Sequence, residues 1–142
     1  MNVGLLLLRL MLAALITGHA CQKLFGWFRG GGPTGHGAIF EQWGFRPGPR
    51  MAVSAGGFEL RGAGAISLGL LTPCGCAVLI GTMIVAASAN AANGLWAHLG
   101  GCEVPVIYAG IAAVLALTGP GRFSLDHALG LHALNHLGWG GG

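Results

Sequence analysis

The sequence predicts an all-α integral membrane protein, a four-helix up-and-down bundle with a long interfacial loop between helices 1 and 2. Three observations carry this expectation. Of 142 residues, 54% are apolar and only 8% are Asp, Glu, Lys or Arg, about a third of the roughly 25% charged share of soluble domains. Seven basic and four acidic residues cannot clothe a soluble globule this small, whose surface is large relative to its volume. Apolar stretches near the length that crosses a bilayer, about 20 residues, recur four times along the chain. Glycine supplies 28 residues against a background near 7%, with no Gly-X-Y period, which suits helices that approach closely in lipid. Together these features exclude a disordered chain, a DNA-binding domain and a disulfide miniprotein. The formal net charge of +3 is scattered without a basic block, so no nucleic-acid partner is implied.

The first span covers about residues 3–25. Its leucine-rich opening resembles a signal peptide, but Arg9 lies inside the apolar run with no basic residue before it, the wrong order for a signal sequence. We therefore expect it to be retained as a membrane helix. The second span, about 50–71, is entered by Pro49 and stopped by Pro73, and proline suits a first helical turn. The third, about 76–97, is the most apolar. The fourth, about 104–118, is short and ends at Gly119-Pro120-Gly121. The connection 26–49 opens with the breaker Gly30-Gly31-Gly32-Pro33; Ala38 to Trp43 then suits a short helix with Ile39, Phe40 and Trp43 on one side. Such a segment fits the headgroup level. Residues 1–125 form the bundle in this division, and 126–142 a short tail rich in His and Gly.

An ionisable residue in a bilayer costs at least about 2.5–3.5 kcal/mol, so each one calls for a partner or a function. The candidates for a buried polar cluster are Arg9, His19, Lys23, Glu59 and Glu103, with Asn90 and Asn93 as an amide pair on the third span. Helical rise, about 1.5 Å per residue, places Arg9 near the level of Glu59, and Lys23 and His19 near Glu103. Glu59 shares a stripe with Ala55, Gly62, Ile66 and Gly69, where another helix can approach. Arg61 points the other way, without an obvious partner. Two roles fit these residues: structural ties that fix helix packing, or the lining of a pocket for a quinone or small anion with His19 or Glu103 moving protons.

Cys74 and Cys76 flank Gly75 in the turn between the second and third spans, a candidate pair of redox thiols, though no nearby cation would activate them. Cys21 and Cys102 fall near the opposite face, where a disulfide would staple the bundle. His132 and His136 are spaced to share a helical face, but no third ligand joins them, so no metal site is assigned. No nucleotide loop, nucleophile elbow or zinc motif occurs.

The ordered set of polar motifs resembles the DoxX family of small four-helix membrane proteins over about residues 4–130. The residues that carry this are Leu8-Arg9-Leu10; His19 with Gln22-Lys23-Leu24-Phe25-Gly26-Trp27-Phe28; Glu59; Asn93-Gly94; Glu103 followed by Pro105; and Thr118-Gly119-Pro120-Gly121-Arg122-Phe123-Ser124-Leu125-Asp126. The resemblance implies a multi-pass protein of the bacterial or archaeal cytoplasmic membrane associated with redox work. Relatives include the membrane subunit of a thiosulfate:quinone oxidoreductase and members linked to thiol and superoxide-handling partners. Arg61 and the Cys-Gly-Cys turn lie outside the family pattern and inherit no role.

Two functions follow as expectations. The first is an accessory or docking component of a membrane redox or respiratory assembly, with other subunits or a second copy of the chain as partners. The second is a quinone-reactive subunit using the buried Glu, His and Arg residues, with quinone as its candidate cofactor. A transporter is weaker, since four short spans would have to oligomerise to form a path. Lys23, Arg29, Arg46 and Arg50 gather at one face and Arg122 at the other. The positive-inside rule then places the long loop in the cytoplasm and both termini outside, an orientation the family resemblance does not specify.

Overall fold

The computed structural model describes residues 1–131. Its helices run in the order α1 (Asn2–Phe25), α2 (Gly32–Gln42), α3 (Gly48–Leu68), α4 (Thr72–Asn90), α5 (Glu103–Thr118) and α6 (Leu125–Ala128), with 3₁₀ turns at Ala91–Asn93 and Ala97–Leu99. The described residues contain no strand.

Glycine and proline set the boundaries. Gly26 ends α1 at φ 70 and Gly69 ends α3 at φ 63, the left-handed conformation that glycine adopts without a Cβ clash. Pro33, Pro49 and Pro73 each lie in the first turn of their helix, where a missing N–H leaves nothing unsatisfied. This corrects two sequence expectations. Pro73 opens the third long helix instead of stopping the second, so α4 starts at Thr72 and the second helix stops at Leu68. Pro33 likewise opens α2, an eleven-residue helix that occupies much of the segment expected as a loop. At the far end, α4 gives way to a 3₁₀ turn capped by Gly94 at φ 83, short of the expected end at residue 97.

Helix α1 packs on α3, α3 on α4, and α4 on α5, while α2 lies against α3 and α1. Close crossings depend on glycine at specific points. A Cβ on Gly37 would fall 2.6 Å from Pro49 N, and one on Gly75 would fall 2.9 Å from Ala65 Cβ. The first crossing seats α2 on the start of α3, and the second seats α3 on α4. Leu12, Ile16, Ile66, Leu79, Met83 and Leu115 form the centre of the apolar core.

The outer faces are also apolar. Leu7, Met11, Leu15, Ile84, Val106, Ile107, Val114 and Leu117 are all exposed. Helix α1, and α4 with its 3₁₀ extension (Thr72–Asn93), are long and apolar enough to cross a membrane, yet only 28% and 22% of their most apolar windows are buried in the protein. A core helix of a soluble domain would be mostly buried, so these faces match a lipid environment. Helix α5 is apolar but shorter, at 16 residues.

Candidate functional site

The polar residues divide between two ends of the molecule. At one end Arg9, 1% exposed, spends its guanidinium on four backbone carbonyls. Its Nε donates to Ile66 O at 2.8 Å and its Nη2 to Ser67 O at 2.7 Å, while Nη1 donates to Pro120 O and Phe123 O, each at 2.8 Å. Ile66 and Ser67 lie in the last turn of α3, where carbonyls have no intrahelical donor and the helix dipole favours a cation. Arg9 thus caps α3 from α1 and ties down the segment after α5. Gly69 has room for nothing else: a Cβ there would fall 2.5 Å from Arg9 Nη2.

Asp126 performs the converse task. Also 1% exposed, it accepts hydrogen bonds from Leu71 N at 2.7 Å, Thr72 N at 3.0 Å and Thr72 Oγ1 at 2.8 Å. These amides open α4, where N–H groups are unpartnered and negative charge is favoured. Its own backbone N–H donates to Gly69 O at 2.8 Å. Placed at the start of a tail by the sequence division, Asp126 is integral to the packed structure. Arg9 and Asp126 together clamp the α3–α4 turn from both sides.

The other end holds a cavity of about 570 Å³, within the size range of small-molecule sites, about 300–1,000 Å³. Its walls come from all five long helices and the segment around Gly100. Helix α2 contributes His36, Ile39 and Phe40, and its C-cap Trp43 follows, all at the three-and-four spacing of one helical face. The side of α2 that the sequence assigned to the headgroups therefore also lines the cavity. Phe40 and Trp43 meet edge to face at 5.6 Å. From α1 come His19 and Lys23, from α3 Phe58 and Glu59, from α4 Thr82 and Asn90, and from α5 Tyr108.

Lys23 Nζ donates to Glu59 Oε1 in a salt bridge whose carboxylate side chain is 1% exposed. Glu59 Oε2 is buried with no hydrogen-bond partner among the described residues. Native structures rarely leave such an atom unpaired, because desolvation costs about 1–3 kcal/mol, and more when the group is charged. His19 lies beside the pair, with Nδ1 at 3.1 Å from Gln22 Oε1 and its ring edge to face with Tyr108 at 5.6 Å.

This geometry corrects the expected pairings. Arg9 does not meet Glu59, and neither Lys23 nor His19 meets Glu103. Helices α1 and α3 run antiparallel in a register that sets Ile66 beside Arg9 and Gly56 beside Leu24. Glu59 is seven residues before Ile66 along α3, roughly 10 Å of rise, and so falls to Lys23. Glu103 instead accepts from Ala97 N at 2.9 Å and fixes the α4–α5 connection. The amide pair divides as well. Asn90 lines the cavity, whereas the exposed Asn93 donates Nδ2 to Gly100 O at 3.2 Å.

All four cysteines are free, so Cys21 and Cys102 do not staple the structure. Cys74 and Cys76 lie in the first turns of α4 and not in a turn between helices. Residues two apart on a helix do not face each other, and here Cys74 is exposed while Cys76 is buried in the apolar core. That geometry opposes a disulfide, which needs facing Cβ atoms. Among the described residues no group of three His, Cys, Asp or Glu gathers that could hold a metal ion. The expected His132 and His136 pair lies outside the described residues.

Sequence reasoning missed Asp126, His36 and Tyr108 as site or clamp residues. For His36 and Tyr108 the only available signals were helical phase against Ile39 and Phe40, and a lone tyrosine in an apolar helix.

No curated protein and no solved structure is significantly similar to the chain. The DoxX family model matches residues 4–99, which spans α1 through the second 3₁₀ turn and so includes Arg9, His19, Lys23 and Glu59. The family and the apolar helices together mark a membrane protein, and the chain belongs to the DoxX family.

Proposed function

We propose that this protein is a multi-pass subunit of the bacterial cytoplasmic membrane that binds a quinone-class amphipath and serves a membrane redox assembly. Helices α1, α3, α4 and α5 are the four spans, and α2 lies at headgroup level over the cavity. The observation that carries this reading is the buried, unpartnered Oε2 of Glu59, a residue that lines a cavity with aromatic and apolar sides. A buried polar group at membrane depth is costly, and a ligand that completes its hydrogen bonding offsets the cost. Phe40, Trp43 and Phe58 offer faces and edges for a planar ring, while Lys23, His19 and Asn90 offer polar groups for its oxygens.

The sequence carries no nucleotide-binding loop. Electrons for a quinone would therefore come from a partner enzyme, so the binding role and the accessory, docking role describe one subunit. At the other end Arg9 and Asp126 cap helix termini and tie down the segment after α5, a packing role.

Purification from native membranes in mild detergent, followed by solvent extraction and mass spectrometry, tests the reading. An isoprenoid quinone, counted as the sum of its oxidised and reduced forms, is expected near one per chain, falling several-fold in Glu59→Gln. A wild-type protein that retains partner proteins but no quinone would contradict it.

A further inference from the structure

We propose that the cavity selects the reduced, hydroxyl-bearing form of its ring ligand, a quinol in preference to a quinone. This rests on the reading that a quinone-class amphipath occupies the cavity, and it specifies which redox form the residues favour. The argument is one of hydrogen-bond polarity. Glu59 Oε1 already accepts from Lys23, and Oε2 has no donor among the described residues. A carboxylate is an acceptor only.

The two oxygens of a quinone are acceptors only as well. Set against Oε2, a quinone oxygen would bring two lone-pair groups together and leave both unsatisfied. A quinol hydroxyl donates to Oε2, forming a charge-assisted O–H···O bond of the short, strong kind. Glu59 lines the cavity but is 0% exposed, so Oε2 is closed off from it in this structure; a hydroxyl reaches Oε2 through a side-chain adjustment of the size common on ligand entry.

The remaining polar groups do not reverse this preference. Asn90, Tyr108 and the imidazoles of His19 and His36 can each present a donor or an acceptor and serve either form. Thr82, also on the cavity wall, donates its hydroxyl to Leu79 O at 2.9 Å and so has only acceptor capacity left. Lys23 has spare N–H groups, but a quinol oxygen accepts from them as a quinone oxygen does. Glu59 Oε2 is the discriminating atom.

Isothermal titration calorimetry on the whole chain in detergent, under anaerobic conditions, compares decylubiquinol with decylubiquinone. The expected result is at least about tenfold tighter binding of the quinol, with Glu59→Gln removing most of that preference. The dimethyl ether of decylubiquinol keeps the ring and loses the donors. On the wild-type protein it is expected to bind no better than the quinone, which keeps the test decisive should Glu59→Gln fail to fold. Equal binding of the two forms, or tighter binding of the quinone, would overturn the selectivity while leaving the cavity reading intact. No binding of any of the three would overturn that reading and the selectivity with it.

Discussion

Lys23 and Glu59 show why the same pair of residues can be costly and still be kept. Removing one partner leaves the other charge buried, which costs about 3–5 kcal/mol, whereas removing both can be nearly neutral. We expect Lys23→Met to destabilise the protein by about 3 kcal/mol, and Lys23→Met with Glu59→Gln to recover most of that loss, measured by thermal unfolding in detergent. An additive double variant would mean that the two side chains are not coupled. The sequence identified both residues by the cost of charge in an apolar span, but it assigned Glu59 to Arg9. Pairing depends on helix register, and register is fixed by which side chains interlock at crossings such as Gly56 against Leu24. No spacing rule within a single helix contains that information. Asp126 enters the sequence reading only as the end of a family motif, without a role, for a related reason: its partners are the first amides of α4, some 54 residues away in sequence.

At the scale of elements, helix lengths were largely legible and the connections were not. Apolar runs mark α1 and α5 within a residue at each end, because apolar composition and length are one-dimensional properties, whereas α4 lies four residues earlier at its start and seven at its end than expected. Helix α2 was underestimated because Gly35 and Gly37 weaken helix propensity by about 1 kcal/mol each, and tertiary packing on α3 overrides that deficit. Gly37 is needed where it stands: a Cβ there would meet the backbone of Pro49 at 2.6 Å, whereas one on Gly57 meets nothing within 4 Å. Gly37→Ala is therefore expected to destabilise by about 1–3 kcal/mol. Gly57→Ala should instead stabilise α3 by about 0.5–1 kcal/mol. Parallel thermal melts check both, and equal effects would contradict the assigned crossing. The Cys-Gly-Cys segment yields a second test. Cys74 is expected to react with a water-soluble maleimide in the folded protein while Cys76 is protected, as single-cysteine variants and mass spectrometry would show; equal labelling would contradict the phase of α4.

Across the whole molecule the polar residues do two kinds of work at two ends. Where Arg9 and Asp126 sit, the side-chain hydrogen bonds to the described residues close onto a helix terminus or an adjoining segment. Where Lys23 and Glu59 sit, one buried acceptor has no partner among the described residues, on a side chain that lines a cavity. The scarcity of charge in the sequence indicated lipid, and the position of each charge in the structure separates support from binding. That division is the central claim, and the ligand-induced shift in melting temperature of three proteins tests it most directly: wild type, Asp126→Asn and Glu59→Gln, each with and without saturating decylubiquinol. A ligand that binds only the folded state raises its stability by mass action. Asp126→Asn is expected to melt lower than wild type yet keep the full ligand-induced rise, whereas Glu59→Gln should lose most of the rise. Loss of the rise in Asp126→Asn with its retention in Glu59→Gln would contradict the division.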